Sequence, residues 1–313
     1  AQKQKNESFN NSLKAETNVI YSANGITLAG SADTAKANSV DYYDGYHLYV
    51  DGSQNSTPVL NNIQWNTDTK VLDTNGNEVL NDIRNTEITK ELNDLTFAEN
   101  NSKYIDLSKY FYSGSVLTFT DVATDQYSNS YNLQIKIGDI IGSQNGESPI
   151  FFVTNPKDGS FEFQVKNSGN FPFTISFVKN GETTGSKVII NQLISDIDND
   201  QYFETTFGNL ATVTDSGSKL DVSKNGATTT ITSSANVDFG FNSTPEGTAM
   251  MLSDGTEFLF NFYQIDYNET YKGTPQGAAD SGMQMQVNLF GNANVVNSYV
   301  SSSSTSYHYN VAS

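Results

Sequence analysis

Short apolar runs, in which large side chains recur at every second position, dominate this sequence and leave few architectures open to it. Leu133, Ile135 and Ile137 alternate with Gln134 and Lys136, and Phe161, Phe163 and Val165 alternate with Glu162 and Gln164. Phe173, Ile175 and Phe177 alternate with Thr174 and Ser176, and Phe258, Phe260 and Phe262 with Leu259 and Asn261. Met283, Met285, Val287 and Leu289 repeat the pattern near the end. A period of two places such side chains on one face of a pleated strand. Turn signals separate the runs, among them Lys157-Asp158-Gly159, Lys179-Asn180-Gly181 and Asn225-Gly226. Short strands roughly ten residues apart predict an all-β, antiparallel β-sandwich, large enough to form a supersandwich. The alternation further predicts that one face of each sheet meets water.

The N-terminal part is less regular. Residues 1–40 hold few large apolar groups and read as a leader or stalk. Tyr42, Tyr43, Tyr46, Leu48, Tyr49 and Val50 form an aromatic strand-like run that ends at Asp51-Gly52. Val71-Leu72 and Val79-Leu80 flank Asp73-Thr74-Asn75-Gly76-Asn77, a hairpin pattern. Ile83, Ile88, Leu92 and Leu95 predict one short helix over 82–97. The expected division is an N-terminal leader or stalk segment with some strands and one short helix over 1–100, a sandwich over 101–299 and a Ser-rich tail over 300–313.

Composition narrows the functional classes. The 313 residues carry a net charge of −18 and a single arginine, Arg84. Nucleic acid and anionic lipid both require clustered cations, so neither is expected as a ligand. An acidic surface suits Ca²⁺, a neutral glycan or a basic protein. There is no cysteine, which excludes disulfides, thiol catalysis and cysteine-based zinc sites. No run approaches the ~20 apolar residues of a spanning helix, so membrane insertion is not expected. No signal peptide is visible at Ala1 and no sorting motif at Ser313, and the chain reads as a mature or excised secreted ectodomain.

Two constellations are candidates for chemistry. Asp196, Asp198 and Asp200 form a D-x-D-x-D run, with Glu204 as a possible fourth ligand. Like charges this close repel, and a calcium ion coordinated by six to eight oxygens would remove that cost. The competing reading is a solvated acidic loop. Tyr42, Tyr43, Tyr46 and Tyr49, with Trp65 further along, offer rings on which a sugar face can stack. The competing reading is ordinary packing of aromatics in strands. Catalytic signals are poor. The histidines are His47 and His308 only, and no phosphate-binding loop is present.

Three stretches carry a family resemblance. They are Tyr104-Ile105-Asp106-Leu107-Ser108-Lys109-Tyr110, the Lys179-Asn180-Gly181-Glu182 hairpin, and Ser195-Asp196-Ile197-Asp198-Asn199-Asp200-Gln201. Residues 104–190 resemble the lectin-like β-sandwich regions of Gram-positive surface adhesins. The types most similar are the glucan-binding, antigen I/II variable region and the non-repetitive domain of fibrillar adhesins. The resemblance spans about residues 100–295. It implies a lectin-like, carbohydrate-binding module on the bacterial cell wall, adhering to glycans or to host surface or matrix proteins. It also implies Lys–Asn or Lys–Asp isopeptide bonds, whose partners the sequence does not pair. The expected function is therefore non-catalytic adhesion at the cell surface. The alternatives are a self-assembling structural subunit of a surface layer or filament, and a carbohydrate-active enzyme built on two carboxylates.

Overall fold

The computed structural model describes residues 18–30, 46–61, 63–64, 66, 68–79, 105–106, 110, 112–139, 150–153, 161–165, 169–195, 197, 201–233, 245–264, 285–291 and 296–300. Its strands begin with β1 (Asn18–Ala23), β2 (Ile26–Gly30), β3 (Tyr46–Asp51) and β4 (Val71–Leu72). Then follow β5 (Ile105–Asp106), β6 (Val116–Thr124), β7 (Ser130–Ile137), β8 (Ile150–Val153) and β9 (Phe161–Val165). Next come β10 (Gly169–Lys179), β11 (Val188–Ser195), β12 (Gln201–Thr205), β13 (Ala211–Thr214) and β14 (Leu220–Asn225). The last are β15 (Thr228–Ser233), β16 (Ala249–Gly255), β17 (Phe258–Gln264), β18 (Met285–Gly291) and β19 (Val296–Val300). Among the described residues there is a 3₁₀ turn at Pro245–Gly247 and no α-helix. The helix expected over 82–97 lies outside the described residues.

The strands form three sheets. A large outer sheet has the order β14-β15-β12-β17-β10-β7-β6-β4. A middle sheet has the order β13-β16-β11-β18-β9-β8-β5, and a small outer sheet the order β1-β2-β3-β19. Strand pairing is antiparallel except for β19 on β3, which is parallel. The all-β, antiparallel architecture read from the alternation is the one observed.

The large outer sheet follows the period-two rule. On β7, Tyr131, Leu133, Ile135 and Ile137 are buried, whereas the residues between them are partly or fully exposed. Register aligns the rings of β10 and β17: Phe171 faces Phe262, Phe173 faces Phe260, and Ile175 faces Phe258. The Phe173 and Phe260 rings stack with centroids 5.2 Å apart and planes 1° from parallel. Phe203 of β12 extends the cluster, 4.6 Å from Phe262. Phe119 meets Phe161 of the middle sheet edge-on at 5.2 Å. Cross-strand aromatic pairs of this kind each add about 0.5–1.5 kcal/mol beyond area burial.

The middle sheet breaks the expectation that every sheet turns one face to water. Val188, Ile190 and Ile194 of β11 pack into the core shared with the large outer sheet. Ile189 and Leu193 of the same strand pack the other way, with Ile26, Leu28, Leu48 and Val50 of the small outer sheet. On β16, Ala249 and Met251 point to the first core, and Met250 and Leu252 to the second. A strand covered on both sides reads as a continuous apolar run, as Ala249–Leu252 of β16 does, whereas β11 is apolar at Val188–Ile190 and Leu193-Ile194 and buries Asn191 and Gln192 between them.

This arrangement draws strands of the N-terminal segment into the folded stack. Residues of the segment read as a leader or stalk form the third layer and bury Ile26, Leu28, Tyr46, Leu48 and Val50. The first sheet is completed by β19, whose Val300 lies opposite Asp51, so the segment is held to the other end of the chain. Val59 then bridges to Ile189 of the middle sheet. Short β2 buries every residue, Thr27 and Gly30 included, so few large apolar groups suffice to seat it.

Two turns were legible and one was misread. Asp73 accepts from the N–H groups of Asn75 and Asn77, Val79 donates to the Val71 carbonyl, and Gly76 takes φ +79°, forming the expected hairpin. Asn225 and Gly226 join β14 to β15. Lys179-Asn180-Gly181-Glu182 is a tight turn but not a hairpin. Both sides of β10 are taken by β7 and β17, so the chain crosses to the middle sheet and continues as β11.

Two predictions follow from local chemistry. A Cβ on Gly30 would collide with Cδ1 of the buried Tyr46 ring, so Gly30→Ala forces the ring to move. Overpacking of this type costs about 1–3 kcal/mol, and urea unfolding should show that loss. In the β6–β7 turn the buried Asp125 carboxylate accepts from the Tyr131 hydroxyl at 2.7 Å, the Tyr127 N–H at 2.8 Å and the Asn129 N–H and side-chain amide at 3.0 Å. Burial pushes its pKa up, but the bonds from Tyr131, Asn129 and Tyr127 together outweigh it and hold the group below its ordinary value of 3.8. A depressed carboxylate stabilises the fold above its unfolded-state value, and the benefit disappears as pH falls through the folded value. Tyr131→Phe should therefore lower stability near neutral pH and flatten the acid limb of a Tm-against-pH curve below about pH 4.

Candidate functional site

The large outer sheet leaves its second face without a covering layer among the described residues, and a groove of about 660 Å³ crosses it. The same alternation that buries the phenylalanines builds this face. Thr174 of β10 pairs with Lys136 of β7 on one side and Leu259 of β17 on the other. Pro172 pairs with Asn261, and Asn261 with Glu204 of β12. Asn170, Asp139, Glu257, Thr205, Thr206 and Thr228 complete the polar lining. From β7 to β15 the groove spans five strands in the sheet order, about 19 Å at about 4.8 Å per step.

Local features shape its floor and wall. Pro172 stands inside a central strand, where proline is normally excluded. Its carbonyl accepts from Gly138 at 2.7 Å, so its nitrogen also faces the β7 side, at the point where β7 has ended. The ring thus displaces no ladder bond. Gly138 fits against it, because a Cβ there would sit 3.1 Å from Pro172 Cγ. On the opposite wall the end of β12 is tied to β17. Thr205 donates its hydroxyl to the Leu259 carbonyl at 2.7 Å, and Leu259 donates its N–H to the Thr206 hydroxyl at 2.8 Å.

The electrostatics are lopsided. Asp139, Glu204 and Glu257 face a single ammonium, Lys136. The Asn170 side-chain oxygen is shielded from water and has no hydrogen-bond partner among the described residues. Buried acceptors are normally satisfied, so an orphan on a groove wall marks a place for an incoming donor. Leu259 is 56% exposed beside these groups and, with Pro172, supplies an aliphatic patch. The rings that reach the groove, Phe173 and Phe260, are 4% and 1% exposed and belong to the core.

The residues singled out from sequence are placed elsewhere, with one exception. Tyr46 and Tyr49 are 4% and 1% exposed, so their faces are taken up by packing and are not a stacking platform. Tyr42, Tyr43 and Trp65 lie outside the described residues, as do Asp196, Asp198 and Asp200. Ile197, between two of these aspartates, is fully buried in the main core. Glu204 is the exception, on β12 and in the groove. No group of three or more His, Asp or Glu side chains suited to a metal ion occurs among the described residues. Sequence reasoning missed Lys136, Asn170, Glu257 and Asn261. The signal was present, since Lys136 and Asn261 are the polar letters between the apolar ones of β7 and β17.

An all-β stack with a polar groove on the open face of an outer sheet is the class of protein that the described residues define. No family model matches the sequence, and no curated protein matches it either. Among solved structures, the chain is similar to the N-terminal domain of the Streptococcus gordonii adhesin Sgo0707. The TM-score is 0.38 at 12% identity, and the match covers 71% of this chain and 66% of that one, just under two thirds of its length.

The orphan acceptor makes a stability prediction. Asn170→Ala removes an unsatisfied buried oxygen and should leave Tm unchanged or raise it, by up to about 1 kcal/mol in unfolding free energy. Differential scanning fluorimetry checks this, and a clear loss of stability would show that the amide is satisfied in the folded protein.

Proposed function

We propose that this protein is a non-catalytic recognition module of a Gram-positive cell surface, an adhesin domain that holds a glycan or a surface or matrix protein in the groove on the large outer sheet. The observation that carries this reading is the groove itself: polar side chains from five adjacent strands converge on the open face of a sheet whose other face is fully packed. Its length suits an extended chain rather than a single small metabolite. A surface rich in Asn, Ser, Thr and Gly accords with the long turn-forming loops of extracellular β-proteins.

Binding to a glycan array and to a panel of matrix proteins, with wild type and Thr174→Trp in parallel, tests this. Thr174 sits at mid-groove between Lys136 and Leu259, and tryptophan is a good strand former that would fill the space. The expected result is at least one ligand bound by wild type and lost by the variant at unchanged Tm. Ligands retained by Thr174→Trp would remove the groove from the reading. Incubating a bound polysaccharide with the protein should release no new reducing ends. Release would make it a carbohydrate-active enzyme and direct attention to Glu204 and Glu257.

A further inference from the structure

We infer that the occupant of this groove is an extended, lysine- or arginine-bearing segment of a protein partner rather than a glycan; the inference rests on the groove being the recognition site. The lining carries Asp139, Glu204 and Glu257 against Lys136 alone. None of the three carboxylates forms an ion pair with a described residue. Asn170 adds a buried oxygen with no donor. The donors in the lining are threonine hydroxyls, asparagine amides and one ammonium, so what the groove lacks against its three carboxylates is positive charge. Ammonium and guanidinium groups supply that charge together with hydrogen-bond donors.

The apolar part of the groove agrees. A glycan that relies on stacking needs an accessible ring, and both rings in this lining are turned into the core. What the groove offers is Leu259 and Pro172, aliphatic surface on which the methylene stems of lysine or arginine can lie while their heads reach the carboxylates. The charge of the whole chain, −18, points the same way, because it steers a basic partner toward the surface and repels polyanions.

Fluorescence anisotropy on the full chain tests this with labelled peptides of about six residues, the length that spans the groove at roughly 3.3 Å per residue. One alternates lysine with valine and the other glutamine with valine. The lysine peptide should bind at least about tenfold tighter, with the preference fading as salt screens it. The double variant Glu204→Gln/Glu257→Gln should weaken it by about tenfold or more, and Asp221→Asn, an exposed acid of β14 outside the groove, by less than about twofold. Equal weakening by Asp221→Asn would reduce the effect to general attraction and overturn the inference, as would equal binding of the two peptides. A neutral oligosaccharide that binds and is lost in Thr174→Trp would refute the cationic occupant while keeping the groove as the site. Lysine-peptide binding untouched by Thr174→Trp would refute both.

Discussion

Burial of β11 and β16 on both faces is the constraint from which the other layers follow. Ile189, Leu193, Met250 and Leu252 would form a wide apolar surface if the large outer sheet were their only cover. Exposed apolar patches of that kind are rare on stable soluble domains. The small outer sheet removes the problem with Ile26, Leu28, Leu48 and Val50. It has to be held in place, and the parallel pairing of β19 with β3 does so by joining distant parts of the chain. Each deletion of a CH₂ from this second core costs about 0.8 kcal/mol, so the N-terminal strands are part of the folded unit rather than an appendage.

The large outer sheet has a different task. Its inner face is locked by rings in register: Phe173 on Phe260, Phe171 on Phe262, and Phe207 against both Phe258 and Phe260. Rings packed at these separations fix the lateral spacing and register of β10, β12 and β17. Side chains on the opposite face are therefore held in a fixed array without any packing of their own. That is how polar residues such as Asn170, Asn261 and Glu204 can stand together on a sheet face, where their own preference would be a turn.

Much of this was legible in the sequence, and the rest was not for definable reasons. Alternation reports which residues share a face, so Phe173, Ile175 and Phe177 were readable as core. It does not report which strands are neighbours. Glu204 and Asn261 are 57 positions apart and meet only because β12 and β17 pair, so the groove had no local signature. The two-sided burial of β11 was visible as the run Val188-Ile189-Ile190, yet nothing in that run says which segment covers the second face. Tyr46 and Tyr49 show the reverse difficulty. Tyrosine is equally suited to a ligand platform and to a strand interior, and only the tertiary fit, here a ring seated on Gly30, decides between them.

Binding sites of sandwich domains are commonly built on loops at one end. Here the candidate surface is built on strands, and that changes the energetics of binding. A loop must be ordered when it meets its partner, and each immobilised side chain costs about 0.5–1.5 kcal/mol. Strand-borne groups on an aromatic-locked sheet are already ordered, so more of the contact energy reaches the complex. The carboxylates, which form no ion pair with a described residue, and the buried Asn170 oxygen then act as a filter. A partner without donors leaves them desolvated and unsatisfied, at about 1–3 kcal/mol for each buried group, whereas one carrying ammonium or guanidinium groups converts the same deficit into affinity. Selectivity in such a groove comes as much from what it penalises as from what it holds.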